Sequence, residues 1–369
     1  MRVGLDARFS SARYDGVGRY VAALLRELVA LPDAPDCLAV WPRDDDPPRH
    51  PLPPPNGHLV ALRPRRGGAP ESPWAQVELP VAARRAHLDV WHSPFPAVPL
   101  LVPAPVVVTH HDCIPERFPQ YFSRAHRAVY RSGVWASARR SRLIITPSQL
   151  SADELSERYS VKRERIRVVP HGVDQPPASD PVGEQRRRER MGVSDGYVLI
   201  VGRPRPHKGY VPLVRAIAAL PAAERPVLVR VGRPDPRLPD GHEDEARRSG
   251  VRLQALEGID DEDLLALYRG ATLVAVPSVV EGFGFPLLEA LAAGAPVLAT
   301  GIQPLREVGG ALARWLPPDP GDWGAALAAG LGDTEWQEQA RRRGPLRAAE
   351  FSWGTSARLT LAVYREAAA

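Results

Sequence analysis

Cysteine occurs only twice in the 369 residues, at Cys37 and Cys113, far apart in sequence. Two distant thiols exclude a disulfide-built scaffold and give no support to a zinc centre, so no metal site is expected. Long apolar runs are missing too. The best stretch, 283–300, is broken by Glu289, Gly294 and two prolines, short of what a bilayer crossing needs. Asp6 falls too early for the apolar region of a signal peptide, and the expectation is a cytoplasmic protein. Lysine is the scarcest charged residue. Of 48 Lys plus Arg only Lys162 and Lys208 are lysines, and with 41 prolines this composition reflects GC-rich codon usage rather than selection for binding. The formal charge of +5 therefore says little about partners. No zinc-finger spacing and no basic repeat interleaved with aromatics is present, so nucleic acid is not an expected partner. Where arginine serves almost everywhere, a lysine kept at position 208 stands out.

What is present suits a soluble chain of two domains: 44% hydrophobic and 25% charged residues over a length too great for one comfortable core. Residues 2–7 read as a buried strand, followed by a polar loop to Gly18 and a helix over 19–31, where Val21, Leu24, Leu25 and Leu28 keep helical spacing. Residues 42–57 lack periodicity, and the run Asp44, Asp45, Asp46 reads as a solvated loop rather than a metal site. Short apolar runs at 88–91, 105–109 and 143–146, with a helical stretch over 124–140, alternate strand and helix in the manner of a parallel sheet. A second alternating series begins at 197. The expected fold is α/β, two doubly wound Rossmann-like domains facing an interdomain cleft. The first covers 1–174, a charged linker 175–189, and the second domain 190–350.

The most specific signal is the nonapeptide from Glu281 to Glu289, which contains Gly282, Phe283, Gly284 and Pro286 and lies between a strand and a helix. In an open parallel sheet that is where ligands bind. The glycines let backbone N–H groups approach a ligand, and a helix starting at Pro286 turns its free amides toward an anion such as diphosphate. Glu281 can accept hydrogen bonds from sugar hydroxyls, and Glu289, in the first helical turn, can reach a ribose. Taken singly, each glutamate is more often an ordinary surface acid. The loop after the strand at 197–201 offers Arg203 and Lys208, two cations suited to a diphosphate, in an order that is not a Walker A loop. Gly16 and Gly18 stand before the first helix without the spacing of a dinucleotide fingerprint, and a plain helix-entry turn explains them about as well. His110, His111 and Asp112 follow the strand ending at Thr109, and His92 follows the one before it. Such histidines are more often structural.

Together these stretches resemble the large retaining glycosyltransferase family of GT-B fold that includes bacterial mannosyltransferases and sucrose or trehalose synthases. The likeness covers nearly the whole chain: Asp-Gly-Val-Gly-Arg-Tyr from Asp15, Val-Thr-His-His-Asp from Val108, Thr-Pro-Ser-Gln-Leu-Ser from Thr146, and Val-Pro-His-Gly-Val-Asp from Val169. It continues in the Val201-Gly202-Arg203 loop with Lys208-Gly209, the pair Glu281 and Glu289, and the closing Phe351-Ser352-Trp353. The resemblance implies that Arg203 and Lys208 hold the diphosphate, Glu289 the ribose, and Glu281 with the backbone at Phe283 and Gly284 the donor sugar. His111 would lie near the reacting centre, with His92 and Asp112 beside it and Gly16 to Gly18 beside the phosphates. It also implies same-face attack with retained configuration, no required metal and no cofactor. The co-substrate would be a nucleotide diphosphate sugar, with GDP, UDP or another base carrying mannose, glucose or N-acetylglucosamine. The acceptor would be a glycan, a lipid-linked sugar or a small natural product. The helix over 353–369 would return to the first domain. Residue 110 departs from the family in being His where an aliphatic residue is common, and 300–304 lacks the usual polar residue near its start. An epimerase or hydrolase on the same fold, and a catalytically silent nucleotide-sugar binder, are the competing readings. A Rossmann dehydrogenase fails on glycine spacing.

From Arg117 to Arg142 there are seven arginines and no acid, with Phe118, Tyr121 and Phe122 at the start. Arg124, Arg127 and Arg131 share one helical face. On the acceptor side of such a protein, that face suits an anionic acceptor or peripheral contact with an acidic inner membrane face. A solvated arginine-rich surface explains it about as well.

Overall fold

The computed structural model describes residues 1–10, 15–41, 50–62, 75–234, 240–317 and 319–369, so the Asp44–Asp46 run lies outside the described residues. The first stretch holds β1 (Arg2–Leu5), α1 (Asp15–Ala30), β2 (Asp36–Val40), β3 (Leu59–Leu62), α2 (Ala75–Ala86), β4 (Val90–Ser93) and β5 (Val106–Thr109). It continues with α3 (Ile114–Arg117), α4 (Arg124–Arg140), β6 (Leu143–Thr146), α5 (Gln149–Tyr159) and β7 (Ile166–Val168). Next come α6 (Pro181–Arg190), β8 (Tyr197–Val201), α7 (Tyr210–Ala218), β9 (Val227–Val231), α8 (His242–Ser249), β10 (Leu253–Leu256), α9 (Asp261–Gly270) and β11 (Leu273–Val276). Last are α10 (Phe285–Ala292), β12 (Val297–Thr300), α11 (Gln303–Gly309), β13 (Arg314–Leu316), α12 (Trp323–Gly332), α13 (Thr334–Ala348) and α14 (Trp353–Ala368). Among the described residues no helix is long and apolar enough to cross a membrane.

The chain divides into two compact units: Met1–Gly172 with Phe351–Ala369, and Val173–Glu350. Unit 1 carries a seven-stranded sheet in the order β3-β2-β1-β4-β5-β6-β7, and unit 2 a six-stranded sheet in the order β10-β9-β8-β11-β12-β13. The strand pairs are parallel in both. Runs such as Val106–Thr109 and Leu143–Thr146 are buried at every position, as expected of strands covered by helices on both faces. The strand order reverses between β1 and β4 in one sheet and between β8 and β11 in the other. These are the switch points where a doubly wound sheet opens a crevice beyond its carboxyl ends.

Two local readings change. Helix α1 begins at Asp15 rather than near Arg19, so Gly16 and Gly18 lie inside its first turn. A Cβ on Gly18 would stand 3.0 Å from the Ser10 carbonyl oxygen, so glycine here serves close packing within a helix and not a loop before one. The expected linker 175–189 contains most of α6, which belongs to unit 2 and packs on α9. Asp180 caps α6 by accepting from the Gly183 amide, Arg187 pairs with Asp263 at 2.9 Å, and Glu184 pairs with Arg269. Charges that look like a solvated run are half of an interhelical ion-pair network.

The closing helix α14 starts from a Ser352 cap and packs on α1 and on the sheet of unit 1. Its first residue lies against Gly172, where an added Cβ would stand 2.2 Å from the Trp353 amide nitrogen. Gly172→Ala should therefore unseat α14 at a cost of about 1–3 kcal/mol, the usual scale for overpacking. Hydrogen exchange should show α14 losing protection in this variant. Unchanged protection and an unchanged melting temperature would contradict the close approach.

Candidate functional site

In unit 2 the loops after β8 and β11 are laced together. The Val279 amide donates to the His207 carbonyl at 2.9 Å, and the Tyr210 hydroxyl to the Gly202 carbonyl at 2.7 Å. The Thr300 hydroxyl donates to the Ser278 carbonyl. Gly209 takes a φ of +73°, and a Cβ there would collide with the Pro277 carbonyl oxygen at 2.1 Å, so the lysine loop fits only flush against its neighbour. This lacing brings Lys208 and Glu281 together at the switch point, Nζ to Oε1 2.6 Å, although 73 residues separate them. With Tyr210, Ser278 and Pro286 they line a small pocket. The Glu281 side chain is 9% exposed and that of Lys208 22%. Burial, together with the Lys208 charge next to it, lowers the His207 pKa to about 4, so this loop carries its positive charge on Lys208 and the arginines.

Gly284 caps α10 at φ +105°, where a Cβ would meet Leu305 at 2.4 Å, and no side chain caps this helix. The Leu287 and Leu288 amides both turn back to the Gly284 carbonyl, at 3.1 and 3.2 Å, and Pro286 in the first turn has no N–H to lose, so what this helix start offers an anion is the positive end of its dipole. The Phe283 ring is buried, 5.6 Å from the Phe285 ring, which leaves the backbone of this turn as its polar surface. Glu289 falls in the second turn of α10 rather than the first, since the helix begins at Phe285. Its Oε2 accepts from the Tyr268 hydroxyl at 2.7 Å. Arg203 is half-buried on the loop that carries Lys208.

Unit 1 gathers three histidines, His92, His111 and His171, around Tyr20. The His110 ring turns inward, 2% exposed, with Nε2 3.6 Å from the Cys113 sulfur, whereas His111 is half-buried at the strand end. His111 Nε2 lies 2.8 Å from the Pro94 carbonyl oxygen, which can only accept, so Nε2 carries the proton in the neutral ring. Nδ1 is then bare and accepts from His171 Nε2 at 3.2 Å. Both nitrogens of His111 are thus engaged, and to act on a ligand the ring must exchange the Pro94 carbonyl for it. The Tyr20 ring lies 5.3 Å from His111 and 4.8 Å from His171.

His92 is wholly buried, with Nδ1 2.6 Å from the Tyr364 hydroxyl of α14 and Nε2 2.8 Å from the Thr109 hydroxyl, which also meets Tyr20 at 3.0 Å. Asp112 accepts from the Ile114 amide at 2.9 Å and so starts α3. Both residues hold local structure. Of the expected site residues, the structure brings Lys208 and Glu281 into contact in unit 2, which also carries Arg203 and Glu289, and unit 1 carries Gly16, Gly18, His92, His111 and Asp112. On α4, Arg124 and Arg131 are exposed and Arg127 half-buried.

Sequence reading missed the Asp6–Arg8 pair, His171 and Tyr364. Asp6 and Arg8 form a two-pronged ion pair at 2.8 Å, with side chains 0% and 1% exposed, just past β1. Two opposite charges at the end of a buried strand were the available signal.

Burial lowers the pKa values of His92 and His110 to about 3 and of His111 to about 4, and that of His171 well below its usual value. A histidine with a depressed folded pKa binds its proton more readily unfolded. The stability it contributes is complete above about pH 6.5 and is lost as pH falls toward the folded values. Unit 1 should therefore destabilise between about pH 6.5 and 4, each histidine adding up to about 1.4 kcal/mol per pH unit. Denaturant midpoints at pH 7 and pH 5 test this, and a protein more stable at pH 5 would refute it.

Two family descriptions match the chain: Glycosyltransferase Family 4 over residues 14–175 and Glycosyl transferases group 1 over residues 182–343. A D-inositol 3-phosphate glycosyltransferase of Salinispora arenicola is 34% identical over 61% of this chain and 55% of its own length. The O-antigen chain mannosyltransferase B of Escherichia coli is 29% identical over 70% of each chain. The match thus spans little more than half the length of the inositol-phosphate relative. Among solved structures, sucrose-phosphate synthase from Thermosynechococcus elongatus aligns with a TM-score of 0.74 at 20% identity, over 99% of this chain and 98% of that one. Anabaena HepE in complex with UDP and glucose aligns with a TM-score of 0.74 at 20% identity, over 99% of each chain. At such identity the structural likeness speaks for the fold, two Rossmann-like domains of the GT-B type. With both units matched in sequence and both sheets in the Rossmann order, the chain belongs to the group 1 glycosyltransferases of GT-B fold.

Proposed function

We propose that the chain is a retaining, metal-independent glycosyltransferase that moves a hexose from a nucleotide diphosphate sugar to an acceptor hydroxyl. The observation that carries this reading is the Lys208–Glu281 pair beside the uncapped start of α10, at the β8/β11 switch point. A cation and a helix N-terminus without a side-chain cap suit a diphosphate, an adjacent carboxylate suits sugar hydroxyls, and Glu289 one turn further on suits a ribose. In the reaction the bond from the anomeric carbon to the diphosphate oxygen breaks. A new bond from that carbon to the acceptor oxygen forms on the same face, and the hydroxyl proton passes to the departing phosphate. Lys208, Arg203 and the positive end of the α10 dipole neutralise the negative charge that develops, which is the service a metal would otherwise perform. His111, neutral and holding its proton on Nε2, can donate to a sugar hydroxyl in place of the Pro94 carbonyl. The relatives' names point to inositol 3-phosphate and to an O-antigen chain, and polar acceptors of that kind are proposed here, met by the arginine-rich side of unit 1. A cytoplasmic location with peripheral membrane contact belongs to the same proposal.

Incubation with a panel of UDP- and GDP-sugars tests the reading. Nucleoside diphosphate should be released at speed only when acceptor is present, the product should keep the donor's anomeric configuration, and EDTA should not slow the reaction. Inversion or a strict divalent-metal requirement would refute the proposal in its stated form, and fast release without acceptor would favour a hydrolase or epimerase.

Variants separate the roles. Arg203→Ala and Lys208→Ala should each lower turnover by about 10²–10³-fold, the usual cost of one group that stabilises developing charge. Lys208→Ala also strands a buried carboxylate and should loosen unit 2, whereas Lys208→Ala with Glu281→Gln should recover thermal stability without recovering turnover. By calorimetry, Glu289→Ala should weaken nucleoside diphosphate binding while Glu281→Gln leaves it intact. Equal losses in the two would contradict the division between ribose and sugar.

A further inference from the structure

On unit 1, α3, α4 and the end of α5 line a pocket of about 240 Å³ walled by Pro115, Glu116, Arg127, Arg131, Arg158 and Tyr159. Arg127 and Arg131 are one helical turn apart, and Arg158 comes from a different helix. The fold uses several neighbouring arginines. Arg117 pairs with Glu154 at 3.4 Å, Arg139 lies over the Trp135 ring at 4.3 Å, and Arg140 donates to the carbonyls of Leu100 at 2.9 Å and Ala104 at 3.1 Å. Among the described residues neither the Arg127 nor the Arg131 guanidinium has a hydrogen-bond or salt-bridge partner, although Arg131 lies within electrostatic range of Glu116. Arg158 pairs with Glu154 at 3.7 Å.

The acid in the wall does not cancel this charge. Glu116 accepts from the Tyr159 hydroxyl through Oε1, while Oε2 is buried with no hydrogen-bond partner among the described residues. Burial outweighs Tyr159, Arg158 and Arg131 and raises the Glu116 pKa. The pocket thus presents three guanidinium forks, a surplus of positive charge, and a carboxyl oxygen that becomes a donor when protonated. A carboxylate offers two oxygens. A phosphate monoester offers three terminal oxygens and up to two charges, which suits three forks from two helices.

We propose that this pocket binds a phosphate monoester, carried by a soluble acceptor or by a lipid headgroup, with Arg127, Arg131 and Arg158 holding its oxygens. The pocket adjoins the segment that bears His111: Glu116 lies five residues beyond it, and the Tyr159 ring is 6.5 Å from that of His110. The acceptor source rests on the transferase reading, whereas phosphate binding itself does not.

Calorimetric titration of the full chain with inorganic phosphate at low salt is the test, with UDP or GDP present to fill the donor site. Saturable binding is expected. It should weaken at least tenfold in Arg127→Gln/Arg131→Gln and stay within twofold in Arg124→Gln, which changes the same helix outside the pocket. No phosphate binding, or an equal loss in Arg124→Gln, would overturn the proposal and leave a diffuse basic surface. A second arm compares vesicles of phosphatidylcholine containing phosphatidic acid, a monoester, with vesicles matched in charge by phosphatidylglycerol, a diester. Preference for phosphatidic acid, competed by inorganic phosphate, assigns the lipid source. Soluble phosphate binding without vesicle preference assigns a phosphorylated acceptor. Vesicle binding that inorganic phosphate does not compete, in a chain that binds no phosphate, overturns the pocket. If neither nucleotide binds, the donor-site reading fails alone, and the pocket is still judged by the phosphate titration of the α4 variants.

Discussion

Parallel pairing is the constraint from which the candidate site follows. Two parallel neighbours cannot be joined by a hairpin, so every connection crosses a face and every strand delivers its following loop to the same edge. In unit 2 this puts the loops after β8 and β11 side by side, because these strands are neighbours although β9 and β10 lie between them in sequence. Lys208 and Glu281 meet for that reason and no other. In unit 1 the same rule places Asp6 and His111 just past β1 and β5 and His92 near the carboxyl end of β4, at one edge. Chemistry accumulates where strands end because backbone amides and side chains converge there without interrupting the sheet.

Burial then determines what those groups are. The histidines of unit 1 are packed among aromatic rings and one another, and desolvation keeps them neutral. Neutrality fixes tautomers. The Pro94 carbonyl dictates the proton on His111 Nε2, and that dictates the donor from His171. The same neutrality allows Tyr364, brought by the last helix, to bond the His92 ring deep in the core. A cationic cluster would repel itself and draw in water. The returning helix is therefore part of what keeps this strand edge dry, a role invisible in the first half of the chain alone.

The sheets and the loops that follow them were legible in the sequence because buried parallel strands read as uninterrupted apolar runs and the glycine-rich stretches interrupt them. The Glu281–Glu289 nonapeptide and the Lys208 loop announced themselves by composition at a strand end. Three things were not legible. The glycines at 16 and 18 read as a turn, since nothing local reveals that the Ser10 backbone presses against Gly18 and that the helix tolerates it. The segment 175–189 read as linker, since the partners of its charges, Asp263 and Arg269, lie about 80 residues away in sequence. The division of labour between His110 and His111 depends on which ring turns into the core, and a strand ending at Thr109 does not carry its alternation reliably past its last residue.

The Lys208–Glu281 pair adds a condition that composition could not reveal. A carboxylate with a side chain only 9% exposed is bonded to the ammonium that the proposed reading gives to a diphosphate, and it occupies one of that group's three protons. Such a pair has already surrendered much of its hydration, so a ligand that meets both partners at once loses little in separating them. A diphosphate alone satisfies Lys208 but leaves Glu281 with a weakened counter-ion. A sugar hydroxyl alone reaches Glu281 without replacing what Lys208 supplies. Only a molecule that joins a phosphate to a sugar through the anomeric oxygen meets both demands together. On the proposed reading, the pair would therefore favour an intact sugar nucleotide over either of its halves.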